Sequence, residues 1–455
     1  MKRSALFIAV LLTVLLMASD LLANIDNLSN MSVEWMRTGN RNAATDRADA
    51  VIYNPGGITE LPDGVSINIG NQSMKREPQH SYNLGAGEQS FEQDGNDPFL
   101  PNIYGAYNKD NWAVWGGIYI PGGGAVVDYP NGSITTNALI PMGIAEGIAT
   151  QAGDLTLTPT IFGGFTVSDT KLEAESIYLT ATLGGTYEVN DMVSVAFGMR
   201  YIDADKNIKG GAKIESADVS PGGINDQLVG AGLSNIDIDM DQEADGFGFI
   251  LGLNANPTDK MNVGIQYQSR VELDFKATQN KTVSPALTVI PADGTKERRD
   301  LPAMLGLGVG YDISDKIYVE VNYSYWFQED ADWGKTKAGK DISDMAGDTQ
   351  SYGATATYKW TPAIATSVGA VYTDFLWNDR DGYYQANIGS YEVLYTDNWQ
   401  VCGGVSWQVN DTVELTASLA RTLWDDATLQ TAIPNVKVET ENASTILSLG
   451  ANLTF

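Results

Sequence analysis

The chain has 455 residues, with 28 Lys and Arg against 57 Asp and Glu, a formal charge of −29, one histidine and one cysteine. That charge repels phosphate backbones and argues against a nucleic-acid partner, and a single cysteine, Cys402, excludes an intrachain disulfide. His80 stands alone in a polar stretch, so no triad or histidine metal cluster can form, and no enzymatic role, cofactor or metal is expected.

At the amino terminus, Lys2 and Arg3 precede an apolar run from Ala5 to Met17 that is too short to span a bilayer as a helix. Leu21-Leu22-Ala23 offers a cleavage site before Asn24, with Ala18 as a competitor. Residues 1–23 read as a secretory signal peptide. Residues 24–62 do not read as a strand but as short helical turns broken by Gly and Pro. Trp35, Met36, Val51, Ile52 and Tyr53 are residues that a disordered tail lacks.

From residue 63 to 455 one device repeats: two amphipathic strands meet at a tight turn, and a longer polar loop leads to the next pair. Val193, Val195, Phe197, Met199 and Tyr201 alternate with Ser194, Ala196, Gly198 and Arg200. Ile265, Tyr267, Val271, Leu273 and Phe275 are assigned outward, against Gln266, Gln268, Arg270, Glu272 and Asp274 inward. Short reversals fall at Asn108-Lys109-Asp110, Asn190-Asp191, Pro257-Thr258-Asp259, Ser314-Asp315-Lys316, Thr361-Pro362 and Asn410-Asp411. Long connections fall near 77–97, 123–171, 207–242, 278–296, 332–347, 379–390 and 426–439. Six short turns and seven long loops join 14 strands. The last strand alternates Leu447, Leu449, Ala451, Leu453 and Phe455 with Ser448, Gly450, Asn452 and Thr454. The pattern predicts an all-β, 14-stranded antiparallel transmembrane barrel in a Gram-negative-type outer membrane, with both chain ends in the periplasm. Residues 24–62 are expected to fold inside its lumen as a hatch.

Several features bear on function. Beyond the third strand, Pro121-Gly122-Gly123-Gly124 should interrupt pairing, unless Pro121 only marks the way into the loop. Leu139, Ile140, Met142, Ile144, Ile148 and Phe162 make the next loop more apolar than water favours, and Val283, Leu287, Val289 and Ile290 do the same for loop 278–296. Such residues form either a capture groove for hydrophobic substrate or a lid of two loops packed together. Arg200 and Arg270 face the lumen by parity and need a partner, either a nearby carboxylate such as Glu272 or Asp274 or a substrate headgroup. Asp237, Asp239 and Asp241 read as a solvated strand end with a weak capacity for divalent cations, because Gln242 stands where an EF-hand loop has glycine.

The run Gly39–Ala50 followed by Asn54-Pro55-Gly56 resembles the hatch of the outer-membrane long-chain fatty acid and hydrocarbon transporters of the FadL/TodX type (OMPP1), with Gly56 where that family usually carries alanine. Trp115 to Gly122 is similar to the family's third strand running into a Pro-Phe-Gly motif. Tyr267-Gln268-Ser269-Arg270-Val271 resembles a Tyr-x-Ser element. Leu301-Pro302 to Asp312 and Tyr323 to Trp333 resemble a strand pair ending near Asp-Trp. The resemblance implies capture of a fatty acid or hydrocarbon by extracellular loops, a pocket in the barrel, and lateral exit at a kinked third strand. The hatch, with Trp35, Asn54, Pro55 and Gly56, would rearrange to let cargo move. A monomer in contact with outer-membrane lipid and lipopolysaccharide is expected. A general porin or surface adhesin on the same barrel is the alternative.

Overall fold

Alternating faces and Asn/Asp turns build a closed wall. A computed structural model describes residues 29–85, 87–336, 338–387 and 389–455, so the expected signal peptide lies outside the described residues. Among those residues, fourteen antiparallel staves run in chain order: β1 (Gly64–Arg76), β2 (Asn96–Lys109), β3 (Trp112–Tyr119, resuming as Gly123–Tyr129), β4 (Phe165–Asn190), β5 (Val193–Ser216) and β6 (Asn235–Thr258). Then come β7 (Met261–Gln268, resuming as Asp274–Gln279), β8 (Lys296–Arg298, resuming as Ala303–Ser314), β9 (Ile317–Phe327), β10 (Asp348–Thr361), β11 (Ile364–Leu376), β12 (Asn398–Gln408), β13 (Val413–Trp424) and β14 (Ala443–Thr454). β1 closes on β14 from Ser66↔Thr454 to Arg76↔Ser444, which makes the sheet a ring.

The exterior is oily where lipid must lie. Leu183 is 73% exposed and Phe247 66% exposed, a cost water would impose but lipid does not. Aromatic pairs mark the margins: Tyr201 against Phe247 with centroids 4.8 Å apart, and Tyr372 against Trp399 at 5.0 Å.

Two expected loops prove shorter than their sequence suggested. Residues 123–129 and 165–171 of the expected loop 123–171 are strand, as are 207–216 and 235–242 of the loop expected at 207–242. β4, β5 and β6 are 26, 24 and 24 residues long, whereas crossing a bilayer takes about 9–11. Their upper halves stand above the membrane. Outward Glu173, Glu175, Asp203, Asp205, Asp237 and Asp239 make those stretches look like loop, but Leu172, Ala174, Ile208, Ile236, Ile238 and Met240 on the inner face are buried. That inner face packs against the helical segment Ile140–Gln151 and the loop holding Leu287, Val289 and Ile290. A second, four-stranded sheet (Gln79–Asn83, Glu88–Glu92, Ala427–Gln430 and Lys437–Glu441) shares a core with Trp333, Tyr383, Tyr384 and Tyr391. Together they form a lid on the side of the long loops.

Candidate functional site: a filled lumen with a break in its wall

Residues 29–61 lie inside the barrel. Ser32 caps the short helix α1 (Val33–Thr38), its Oγ accepting the Trp35 N–H at 3.0 Å, and Gly39 ends it at φ 70°. α2 (Ala50–Tyr53) and a 3-10 turn (Pro55–Glu60) lead down to β1. A charge network ties the segment together and to the wall. Arg41 forks onto Asp49 at 2.5 and 3.0 Å, and Arg37 Nε donates to Glu34 at 2.9 Å. Arg47 forks onto Glu414 of β13 at 2.7 and 2.8 Å, while Thr416 and Asn452 donate to Glu34 at 2.6 and 2.8 Å. Burial would raise the Glu34 carboxyl, but Arg47, Arg37 and Arg41 outweigh it and hold it at about 2, below the usual 4.5.

A carboxylate lowered by folding stabilises the docked segment in full above its ordinary value, and that contribution disappears only as pH falls through about 2. Bilayer conductance at pH 4 should therefore stay near its pH 7 level. Glu34→Gln should raise it at pH 7, because one partner removed from a buried charge network costs about 3–5 kcal/mol. A wild-type barrel already open at pH 4 would show that this network does not hold the segment.

The wall makes room for the segment by omitting side chains. A Cβ on Gly264 (β7) or Gly369 (β11) would strike the carbonyl oxygens of Asn42 and Thr38. Gly70 and Gly353 leave room for the side chains of Val33 and Asn40, and Gly308 for the Asn42–Ala43 peptide. Asn42 Nδ2 donates to Ser324 at 3.0 Å, and its N–H donates to Asn322 Oδ1 at 2.6 Å. Asn54 Nδ2 donates to Asn254 at 2.7 Å, and Thr186 Oγ1 donates to the Pro55 carbonyl at 2.6 Å. Gly56 is pressed against β6, where an added Cβ would lie 2.5 Å from the Asn254 nitrogen, so alanine would not fit without a backbone shift.

β3 leaves the wall beside this segment. Its ladder with β2 ends at Ile103↔Ile118, although β2 continues upward to Asn96. Above that point β2 pairs only with β1, and the upper part of β3 pairs only with β4. Pro98 and Pro101 on β2 and Pro121 in the gap of β3 are three residues around the unpaired stretch with no backbone N–H to donate. Tyr119 through Gly123 are all buried, where a strand in the wall would bury every second residue, so the chain tucks inward. The stretch is bridged above by Val126 N–H to Asp97 Oδ1 at 2.9 Å and Asp94 N–H to the Asp128 carbonyl at 2.8 Å.

A cavity of about 160 Å³ joins these parts. Trp35 of the segment and Gly123 of the break both line it, with Trp326, Phe375, Tyr395 and Trp424 as aromatic walls and Asn398, Gln400 and Arg76 as polar ones. Val393 and Leu394 of the lid also line it. Compared with family models, residues 15–455 match the one described as outer membrane protein transport protein (OMPP1/FadL/TodX).

The chain belongs to the OMPP1/FadL/TodX family. Solved structures agree on the fold. A Pseudomonas aeruginosa FadL homologue is 13% identical with a TM-score of 0.64, covering 94% of this chain and 100% of its own. The P. putida toluene transporter TodX is 14% identical at 0.62 (95% and 99%), and the Ralstonia pickettii toluene transporter TbuX is 16% identical at 0.58 (95% and 99%). No curated protein sequence matches the chain.

Within this FadL/TodX-type barrel, the residues singled out from sequence fall in three places. Trp35, Asn54, Pro55 and Gly56 are buried in the lumen, and Pro121, Gly122 and Gly123 are buried at the break. Leu139, Ile140 and Ile144 are buried in the lid, with Met142, Ile148 and Phe162 partly buried beside them. None of these six lines the 160 Å³ cavity, so the two apolar loops form a packed lid rather than the border of that space. Arg200 is buried inside, donating to Gln268 Oε1 and the Ser269 carbonyl at 2.6 Å each. The lumen assignment of Arg270 is corrected: its side chain is 41% exposed on the exterior, near Glu272 and Asp300. β7 gains a residue against β6 between Gln268↔Ile250 and Lys276↔Glu243, which reverses every face above it. Val271, Leu273 and Phe275, assigned outward, are accordingly buried inside. The sequence reading missed the aromatic cavity lining, which comes from three strands, the lumen segment and the lid and has no local signature. It also missed the lumen-facing glycines, whose recurrence on neighbouring strands was the available signal.

Proposed function

We propose that this barrel passes hydrophobic small molecules from the cell surface to the membrane interior without an energy source, and that compact aromatic hydrocarbons suit it best. In this reading residues 1–23 direct export, the segment 24–62 is a hatch, and cargo leaves sideways at the break between β2 and β3. The observation that carries the reading is the cavity that Trp35 of the segment and Gly123 of the break line together with Trp326, Phe375, Tyr395 and Trp424. Its volume of about 160 Å³ accommodates one small ring, with polar side chains such as Asn398, Gln400 and Thr422 beside the aromatic ones. A long-chain fatty acid would need Trp35 or the lid to move.

Fatty acids remain the second reading because of Arg200. Its guanidinium is buried against the Tyr119 hydroxyl, and its charged neighbours among the described residues are phenols, Tyr119 and Tyr267, with no carboxylate. A buried cation of this kind is costly alone and would gain from a carboxylate headgroup.

Labelled toluene and labelled oleate, offered to cells making the protein, separate the two readings. The variant Pro98→Val/Pro101→Val/Pro121→Val restores three backbone N–H groups and should lower uptake several-fold at unchanged surface level. Unchanged uptake would sink the lateral route. Uptake of oleate lost in Arg200→Gln, with toluene unaffected, would decide for the fatty acid.

A further inference from the structure

The chain's one histidine has a use that neither fold nor transport requires. His80 is buried in the lid, on the strand Gln79–Asn83, with its ring stacked on Phe91 (centroids 5.3 Å, 21°) and edge-on to Tyr129 at 5.2 Å. Its Nε2 accepts the Ile134 N–H at 3.0 Å, and its Nδ1 has no hydrogen-bond partner. Glu392 is buried beside it. One Glu392 oxygen accepts the Thr135 N–H at 3.1 Å, the other has no hydrogen-bond partner, and the Tyr129 hydroxyl donates to the Glu392 carbonyl at 3.0 Å. The next three residues, Val393, Leu394 and Tyr395, line the cavity. One imidazole thus fastens the start of the apolar loop near the turn that roofs the cavity.

We propose that His80 is a proton-operated latch: protonation releases the 133–151 loop and the 390–395 turn, so the lid loosens as pH falls. The step follows from the hydrogen bond. The lone pair that accepts the Ile134 N–H is the one a proton would take, after which two N–H groups face each other in a site walled by Phe91 and Tyr129. Glu392 is the one carboxylate facing the ring among the described residues, and the other titratable neighbours, Tyr129 and Tyr82, are neutral phenols. Glu88, Glu92, Glu439 and Glu441 of the same sheet are exposed on its far side. Burial lowers the imidazole below its ordinary 6.5, and Glu392 only partly offsets this. A base lowered by folding gives its full hold above 6.5 and loses it as pH falls through the lowered value.

The test needs no cargo. Amide hydrogen exchange of the full-length protein in nanodiscs, corrected for the intrinsic pH dependence, is followed over 131–151 and 389–395 from pH 7.5 to pH 4.5. Exchange there should rise at low pH, on the order of tenfold for each unit by which the imidazole is lowered. His80→Gln keeps an acceptor but cannot titrate, and should flatten the rise. Should that variant loosen the lid at every pH, Glu392→Gln decides, because removing the carboxylate should move the wild-type midpoint to lower pH. Flat exchange in the wild type, an undiminished rise in His80→Gln, or an unmoved midpoint in Glu392→Gln would overturn the latch.

Discussion

Oxidising a Gly39→Cys variant should stop uptake, and reduction should restore it. A Cβ built on Gly39 lies 3.8 Å from the Cβ of Cys402 and 3.4 Å from its Sγ, within the Cβ–Cβ range of about 3.5–4.5 Å that a disulfide needs. Cys402 is buried on β12 and is the chain's one thiol, so the new pair has no competitor. Two costs oppose the link. Gly39 has φ +70°, which asks about 1–2 kcal/mol of a residue with a side chain, and Val371 Cγ2 at 3.0 Å must give way by a few tenths of an ångström. Both are smaller than the roughly 2–4 kcal/mol a disulfide supplies. The link would staple the C-terminal end of α1 to the wall. If the segment must move for cargo to pass, cross-linked cells should take up toluene or oleate at background level and recover with reductant. Full uptake by a quantitatively cross-linked protein, shown by the loss of two hydrogens in its intact mass, would mean that this part of the segment stays still during transport.

Gly264→Val should do the reverse and unseat the segment. The added Cβ would strike the Asn42 carbonyl and lie 2.9 Å from Asn54 Cγ. A backbone oxygen cannot rotate away as a side chain can, so the cost should exceed the usual 1–3 kcal/mol of an overpacked core. Nothing changes on the lipid face, and the β7–β8 ladder stays intact. The barrel should still insert, with larger single-channel steps in planar bilayers. Gly163→Val, where nothing lies within 4 Å, is the control. Unaltered conductance in Gly264→Val would show that the segment does not set the permeability, and the open-porin reading would gain.

The barrel was legible in the sequence because its two requirements are local. Alternation marks a wall with lipid on one side, and Asn, Asp or Pro marks each short reversal. What was not legible depends on register between strands. Ser269 and Arg270 look like any two residues of β7, yet the extra residue there turned Arg270 outward and Val271, Leu273 and Phe275 inward. Asp237, Asp239 and Asp241 read as a solvated strand end, but the strand continues because Ile236, Ile238 and Met240 find a core behind it. Pro121 with the glycines after it, and Asn54-Pro55-Gly56, could be singled out because proline and glycine constrain the backbone locally. Lid and cavity residues could not be separated by hydrophobicity, since both are apolar and only the packing distinguishes them.

Where β1 meets β14, Gly70 stands directly opposite Gly450. The side chain of Val33 occupies the space that a Cβ on Gly70 would take and lies 3.1 Å from where one on Gly450 would stand. The joint that completes the cylinder is therefore made of three parts, two strands and one residue of the segment within, like a keystone set from inside the arch. Free energies around such a joint are reciprocal. Whatever strengthens the β1–β14 zip also deepens the seat of Val33, and whatever draws α1 away uncovers a patch of bare backbone along the one contact that makes the sheet a ring.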